Sequence, residues 1–441
     1  MKKKVIIFCG GRGSASLIKY FSNQSNIELT LLINAFDDGK STGKLRKYIP
    51  GLLGPSDFRK NFSYLINFLS DEQRYLKKIF EYRVKRGIKI KKFYDELIKI
   101  QNDKSFKSNF IPQEINLLED ELRGQIFFYS KICLNYLFHT KLDLYDFSFG
   151  NIVFVGIFLH HKNNFNQTVK IFSQFINSDV KVINISNNKD RWLLSINKNN
   201  KIILDESKLV NFKQIVPIKD LFLLKKEDAI YFQKNLINSD KKKQIKFLKQ
   251  KNSVPEINPE AKKSIIQSDY IIYGPGTQHS SLFPSYIISN SVIKKSLAKK
   301  IFIMNLDLDN DIAGLKSQQI LKQALRYLKS ESKTDRAIDT ILIDKNTKFN
   351  NLSKKYRKSE IKLTDLKNNI NKKIHSGKKI FDEIFAESQK EHLLVYINLT
   401  NNFYAKDEYI EQIMNQNWEN LFNKITIIIN KKIKIVKEIN K

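Results

Sequence analysis

Two glycine-rich turns in the sequence have the composition of phosphate-binding loops. They occupy residues 9–14 and 274–277, each after a short apolar run and before a segment that can start a helix. At a helix N-terminus, free backbone N–H groups and the positive end of the helix dipole attract an anion. Two such turns at the same edge of one sheet would flank a diphosphate. The predicted phosphate-binding residues of these turns are Gly10, Gly11, Gly13, Ser14, Gly274, Gly276 and Thr277.

A stretch rich in small and ionic side chains, residues 34–61, has no apolar period. Within it, Asp37 and Asp38 follow the second predicted strand, at the carboxyl edge where open α/β sheets bind ligands. These carboxylates could orient a hydroxyl, hold Mg²⁺ through water or act as a base. Arg46 and Arg59 could each grip a phosphate or carboxylate through two parallel hydrogen bonds. The stretch therefore adds candidate catalytic and metal-binding groups to the two turns.

Each of these features also has a purely structural explanation. A glycine turn can be a plain loop, Ser56 and Asp57 can be helix caps, and His279 can be a polar neighbour without a direct role. The dinucleotide fingerprint needs a third glycine where the chain has Ser16, and a Walker A loop needs a glycine where it has Asn34. The combination of both turns with the ionic stretch, rather than any one piece, predicts a phosphate site.

Short apolar β-rich runs alternate with helical patterns and predict the elements that position these residues. A strand, the first glycine turn, a helix and a second strand form a β-α-β unit over residues 1–34, the seed of a parallel sheet covered by helices. Residues 34–61 are predicted to be loop with one turn of helix, and residues 62–146 to be a helical insertion or cap. A lysine-rich run at residues 241–251 is typical of a solvated helix face or a loop. Strands are predicted at residues 152–157, 180–185, 192–196, 201–205, 270–273, 301–305, 340–343 and 393–399, and helices at 318–328 and near Ile380.

The net charge of +32 first indicates a nucleic-acid or membrane partner. We do not expect one, because only 11 of the 77 basic residues are Arg and the lysines are spread over the whole chain rather than clustered. No apolar stretch approaches the roughly 20 residues that span a bilayer. The two cysteines, Cys9 and Cys133, cannot build a disulfide framework. These features predict a cytoplasmic protein with reduced core thiols.

Taken together, the motifs resemble those of the 2-phospho-lactate transferase and gluconeogenesis-factor family, the CofD and YvcK relatives. The matching pieces cover roughly residues 3–305. They are Gly10-Gly11-x-Gly-Ser, Asn34-x-x-Asp-Asp-Gly-x-Ser-Thr-Gly-x-Leu-Arg46, Pro55-x-Asp57-x-Arg59-x-Asn61, Phe149-Gly150-Asn151 before a predicted strand, and Asn258-Pro259-Glu260-Ala261 leading to Gly274-Pro275-Gly276.

The resemblance implies a Rossmann-like core with a ligand in a cleft at the carboxyl edge of the sheet. In the transferase branch, a phosphoester group moves from a guanosine-diphospho donor to the terminal hydroxyl of a deazaflavin, assisted by Mg²⁺. On this sequence, Asp37 and Asp38 would face the hydroxyl or the metal, and Arg59 would hold a phosphate. Further nucleotide- or phosphate-binding residues implied by the resemblance are Ser41, Thr42, Gly43, Arg46, Asp57, Asn61 and Asn151.

We therefore expect an α/β protein with a Rossmann-like, mostly parallel sheet flanked by helices. The core is predicted to cover residues 1–315, including a helical insertion at 62–148, and a C-terminal α/β extension to cover 316–441. The expected function is a CofD-like transfer of a phosphoester group from a nucleoside diphospho donor, guanosine in the family, to an acceptor hydroxyl. The alternative is a YvcK-like regulatory protein that binds a nucleotide-sugar or dinucleotide without established catalysis. The sequence of residues 41–46 is nearer to that branch than to the deazaflavin enzymes. The expected partner is a nucleotide-type small molecule, and a homodimer is an open alternative to a monomer.

Overall fold

The computed structural model describes residues 2–342 with short gaps at 12, 37–38, 67–69, 177, 188–189, 205–208, 210–215, 306–309, 313, 316 and 330–336. The chain forms two compact units, residues 1–300 with 308–338, and residues 301–307 with 339–441. The helix predicted near Ile380 and the strand predicted at residues 393–399 lie outside the described residues. The domain boundary predicted at residue 315 stays a prediction.

The described chain contains nine strands and thirteen α-helices, numbered separately along the sequence. The strands are β1 (Lys3–Cys9), β2 (Ile27–Ile33), β3 (Lys181–Asn184), β4 (Trp192–Asn197), β5 (Ile202–Ile203), β6 (Ile218–Leu224), β7 (Tyr270–Tyr273), β8 (Lys299–Ile303) and β9 (Thr340–Leu342). The helices are α1 (Ala15–Ser22), α2 (Lys40–Tyr48), α3 (Ser56–Leu65), α4 (Asp71–Glu81), α5 (Ile90–Asn102), α6 (Asp120–Leu137), α7 (Phe149–His160), α8 (Phe165–Gln174), α9 (Lys226–Tyr231), α10 (Lys241–Lys251), α11 (Pro259–Gln267), α12 (Phe283–Lys295) and α13 (Ser317–Tyr327). Short 3₁₀ turns at Gln113–Leu117 and Asn310–Ile312 and π turns at Phe232–Leu236 and Gln278–Leu282 complete the set.

A parallel sheet forms the centre of the first unit. β1 pairs in parallel with β2 on one side and with β7 on the other, and β2 pairs in parallel with β3. The strands are apolar and buried along most of their length, as expected for a parallel sheet that helices cover on both faces. Because parallel strands run in one direction, the segments after β1, β2 and β7 all leave the same edge. The prediction of an α/β fold with a mostly parallel sheet flanked by helices is confirmed.

An antiparallel sheet, β5-β4-β6, belongs to the same unit. Its buried face, which includes Trp192 and Phe222, packs against Phe232 and Leu248 from the segments around α9 and α10. The lysine-rich run is α10, a helix that begins at the Asp240 side-chain cap. In the second unit, residues 301–303 of β8 pair in parallel with β9.

The strand predicted at residues 152–157 is wrong, because this stretch lies within α7. Every residue from Phe149 to Phe158 is buried, so the helix has no polar face and its apolar run carries no helical period. Gly156 allows this burial, since a Cβ there would collide with the backbone of Tyr129 on α6.

The prediction that residues 34–61 are mostly loop is also wrong. The stretch contains α2 and the first turns of α3. Their inward faces carry buried polar side chains, among them Thr42, Arg46 and Asn61, where an ordinary amphipathic helix carries apolar ones. In α2 the inward polar groups leave no clear apolar period, whereas in α3 the buried Phe58, Phe62 and Leu65 do have helical spacing, most of it beyond residue 61. Polar groups are buried where they have partners. The helices α4 to α6 lie in the segment predicted to be helical.

Candidate functional site

The two glycine turns meet at the carboxyl edge of the parallel sheet. An ideal Cβ on Gly13 would lie 2.5 Å from the carbonyl oxygen of Pro275 and 2.7 Å from the nitrogen of Gly276. The Ser14 hydroxyl donates a hydrogen bond to the Pro275 carbonyl at 3.0 Å. Side chains at the glycine positions would push apart turns that the pairing of β1 with β7 brings together. The predicted convergence of the two turns is therefore present in the fold.

The helical segment after the second turn also contacts the first turn. A Cβ on Gly10 would lie 2.6 Å from Cβ of Ser281 and 3.8 Å from Oγ1 of Thr277. The hydroxyls of Thr277 and Ser281 are hydrogen bonded at 2.9 Å, one helical turn apart. The Asn34 side chain, just past β2, donates to the Ser281 carbonyl. Ser281 is not among the predicted phosphate-binding residues, although a second hydroxyl four residues after Thr277 is visible in the sequence.

The first turn of α3 faces the first glycine turn. Asp57 is buried, and its Oδ1 would lie 2.9 Å from a Cβ on Gly11. The Lys60 ammonium donates to Asp57 at 3.0 Å. The Asn61 amide donates to the carbonyls of Gly10, at 2.8 Å, and Asp57, at 2.7 Å. This contact fixes the glycine turn against α3 and places one cation and one carboxylate beside it.

The first turns of α2 and α7 join α3 through buried hydroxyls and an amide. The Thr42 and Ser56 hydroxyls are 2.5 Å apart, and the Asn151 amide donates to the Ser56 hydroxyl at 3.2 Å. Ser148 caps α7 by accepting from the backbone N–H of Asn151. The N-terminal turns of α2, α3 and α7 therefore lie together, and the positive ends of their dipoles favour an anion nearby.

Arg46 is 1 % exposed and its guanidinium donates to three internal acceptors. These acceptors are the Phe36 carbonyl at 3.1 Å, the Arg191 carbonyl at 2.8 Å and the Asp190 carboxylate. The guanidinium also lies over the Trp192 ring, 5.3 Å from its centroid. In this structure Arg46 ties α2 to the start of β4, and a phosphate contact by it stays a prediction.

Arg59 is buried to nearly the same degree, at 4 % exposure, but none of the described residues hydrogen bonds or pairs with its guanidinium. Burial, reinforced by the nearby Arg83, lowers the pKa of Arg59 to about 10. Its Nε is fully enclosed. Two buried arginines in one sequence stretch therefore differ: the Arg46 guanidinium has three acceptors in the fold, and the Arg59 guanidinium has none among the described residues.

His279 lies in the π turn after the second glycine turn and is fully buried. Its Nε2 is 2.7 Å from the Gln323 side-chain oxygen, and its backbone N–H donates to Asp311 at 2.8 Å. Burial lowers the pKa of His279 to about 4, against the opposing effect of both hydrogen bonds, so the ring is neutral at pH 7. These contacts anchor the turn that carries Thr277 and agree with the interpretation of His279 as a structural neighbour.

Ser41 is buried in the first turn of α2, and the Gly43 backbone N–H donates to the Gly39 carbonyl at 3.2 Å within that turn. Asp37 and Asp38 lie outside the described residues, so their catalytic and magnesium-binding roles stay predictions. Among the residues that the structure does describe, no group of three or more His, Cys, Asp and Glu side chains is gathered at metal-ligand distances. No helix in the described ranges is long and apolar enough to cross a bilayer.

Comparison with known proteins gives a consistent set of relatives. A family model described as "2-phospho-L-lactate transferase CofD" matches residues 5–382. A protein of Thermotoga maritima named "Putative gluconeogenesis factor" is 21% identical over 375 residues, which is 83% of this chain and 88% of the relative. A protein of the same name from Streptococcus pneumoniae is 32% identical over 82 residues, or 19% of this chain and 24% of that protein. The crystal structure of protein BH3568 from Bacillus halodurans has a TM-score of 0.51 at 20% identity, covering 77% of this chain and 80% of the other, and so shares the fold.

Proposed function

Because the chain belongs to the CofD family, we propose that it is a transferase that moves a phosphoester group from a guanosine-type nucleoside diphospho donor to an acceptor hydroxyl. The observation that carries the proposal is the meeting of the turns at Gly13 and Gly276, with the first turns of α2, α3 and α7 beside them. Backbone N–H groups and helix dipoles gathered in this way suit the charge of a diphosphate.

The chemistry of each residue type gives it a separate proposed role in the site. The glycines let the two turns pack against each other, so that their backbone N–H groups can be gathered around one diphosphate, and Lys60, whose ammonium is next to Gly11, supplies a positive charge. Asp37 and Asp38 are proposed to orient the acceptor hydroxyl or to hold Mg²⁺. Electrostatic stabilisation and positioning account for most of the rate in phosphoryl transfer, so no covalent intermediate with the protein is required.

Of the ligands that a magnesium ion would need, the described residues beside the glycine turns supply one carboxylate. Asp57 is buried beside the glycine turn, and Mg²⁺ in nucleotide sites typically takes one or two carboxylates together with substrate phosphates. When bound, the ion would neutralise charge on the phosphates. The protein's own part would be to hold Asp57 in place through Lys60 and Ser281.

A second candidate is a regulatory protein that binds a nucleotide sugar or dinucleotide on the same scaffold and catalyses nothing. The relatives named "Putative gluconeogenesis factor" favour it. Both candidates need the same anion site, so they differ in turnover rather than in binding. A measurement must therefore follow binding and product formation separately.

The binding experiment titrates the purified protein with GDP, GMP and guanosine, and with a uridine-diphospho sugar, by calorimetry. A diphosphate site predicts that GDP binds at least tenfold more tightly than guanosine, and that Gly13→Ala abolishes the difference. Gly124→Ala is the matched control, because nothing lies within 4 Å of a Cβ at Gly124. Equal affinity for GDP and guanosine, together with no binding of the uridine-diphospho sugar, would reject both candidates.

The turnover experiment incubates the protein with Mg²⁺, a guanosine-diphospho donor and a deazaflavin carrying a terminal hydroxyl, and follows the products by mass spectrometry. Release of GMP together with a phosphodiester on the acceptor supports the transferase. Tight diphosphate binding with no product from any donor and acceptor pair supports the regulatory candidate instead. Asp38→Asn should abolish turnover while leaving the melting temperature near that of the wild type.

A further inference from the structure

A second group of unpaired polar atoms lies on the other side of α3 from the glycine turns. On a helix, residues two positions apart project about 200° from each other. Asp57 and Asn61 accordingly face the first glycine turn, whereas Arg59 packs against Gly150 at the start of α7. We infer that the Arg59 guanidinium and the Gly150 backbone N–H form a second subsite, which binds a carboxylate or phosphate oxyanion of the substrates separately from the diphosphate. The inference rests on the proposed function.

Arg59 is the first support. Burial of an unpaired guanidinium is strongly unfavourable, because the charge loses its hydration and gains no partner. Arg46, buried to the same degree, has three acceptors, and Arg123 donates to the carbonyl of Ile100 at 2.6 Å. Arg46 and Arg123 leave only Nε-type donors buried without a partner while their terminal nitrogens donate to the fold, whereas the whole Arg59 guanidinium has no hydrogen-bond or ion-pair partner among the described residues. A bound oxyanion would supply the missing acceptor.

The first turn of α7 is the second support. The N–H of Phe149 donates to the Tyr82 carbonyl at 2.9 Å, and the N–H of Asn151 is satisfied by Ser148. Between them, the N–H of Gly150 has no acceptor among the described residues. An ideal Cβ on Gly150 would lie 2.9 Å from Cδ of Arg59. An open backbone donor at the N-terminus of a twelve-residue helix therefore lies next to the unpaired arginine.

The surrounding charges favour an anion. Arg83 lies near enough to Arg59 to lower the pKa of Arg59, so two cations lie in the same region. Two carboxylates, Glu81 and Asp57, also act on Arg59, but Glu81 accepts a hydrogen bond from Ser63 and Asp57 accepts one from Lys60, and neither pairs with Arg59. Arg83 itself is half exposed and donates to the Asp146 carbonyl at 2.8 Å. A planar guanidinium with an N–H beside it is suited to the two oxygens of a carboxylate or two of a phosphate.

The test separates the two subsites with two probes. Calorimetric titrations of phosphate and of acetate are run on the full-length protein saturated with GDP, which occupies the glycine turns. The wild type should bind one of the two oxyanions, and the one it binds identifies the source as phosphate or carboxylate. Arg59→Met should weaken that binding at least tenfold while leaving GDP affinity within about twofold. Arg74→Met is the matched control, because the Arg74 side chain is 53 % exposed and its one ion-pair partner among the described residues is Asp71 on the surface of α4.

A melting curve without ligand tells a binding role from a structural one. If Arg59 is held for an oxyanion, Arg59→Met removes an unpaired buried charge, and the unliganded protein should melt no lower than the wild type. A lower melting temperature together with unchanged oxyanion binding would overturn the subsite. If the wild type does not bind GDP but still binds an oxyanion through Arg59, the proposed function is rejected and the subsite stands. If the wild type binds GDP but neither phosphate nor acetate, the subsite is rejected and the proposed function stands.

Discussion

The contact between Gly10 and Ser281 can be tested by replacing Gly10 with alanine. The new Cβ would lie 2.6 Å from Cβ of Ser281 and 2.9 Å from its Oγ, whereas carbon atoms in contact are about 3.5–4.0 Å apart. A shift of roughly 1 Å is needed to restore that spacing. Neither partner can shift freely, because Asn61 holds the Gly10 carbonyl and Asn34 holds the Ser281 carbonyl. Overpacking of this kind costs about 1–3 kcal/mol, so we expect the free energy of unfolding to fall by about 2 kcal/mol and GDP affinity to fall at least tenfold.

A double-mutant cycle with Ser281→Gly shows whether the clash is the cause. Ser281→Gly removes both atoms that would lie within 3 Å of the new Cβ, so Gly10→Ala should have almost no effect in that background, which is a coupling energy of about 2 kcal/mol. Urea unfolding followed by tryptophan fluorescence measures each corner of the cycle. Gly124→Ala, in the open middle of α6, should instead stabilise the protein by about 1 kcal/mol. Additive effects of Gly10→Ala and Ser281→Gly would refute the contact between the turns.

Three further predictions concern buried polar groups around the site. Because burial lowers the pKa of His279 to about 4, the unfolded chain takes up this proton first, and stability should fall by up to roughly 3 kcal/mol as the pH drops from 6.5 to 4. Unfolding of His279→Gln over the same pH range should lack that part of the slope, and an unchanged slope would contradict the assignment. Arg46→Lys cannot keep all three acceptors and should lower the free energy of unfolding, measured in urea, by about 2 kcal/mol. Asp190→Asn tests the same ion pair from the other side. Wild-type stability of both variants would contradict the buried ion pair. Asn61→Ala leaves the Gly10 carbonyl without its buried donor and should cost about 1–3 kcal/mol by urea unfolding, while weakening GDP in calorimetry; loss of neither would disconnect α3 from the glycine turn.

The strands of the parallel sheet and the two glycine turns could be predicted from the sequence alone. A buried parallel strand is a short apolar run, and the turn after it must begin at the carboxyl edge of the sheet whatever the rest of the chain does. The segments around Val5, Leu29 and Tyr270 have that form, and the structure places them in β1, β2 and β7. The meeting of the turns at Gly13 and Gly276 follows from the pairing of β1 with β7.

The tertiary structure decided what local pattern could not. α7 has an apolar sequence that a strand could share, and only its burial on all sides, with Gly156 against α6, makes it a helix. Arg46 and Arg59 are the same residue type in the same stretch, and Arg46 finds acceptors at Asp190 and Arg191, residues far away in the sequence, whereas Arg59 packs against Gly150 without one. Periodicity records which side of an element is apolar, whereas hydrogen-bond partners of a buried polar group come from whichever segments the fold brings beside it.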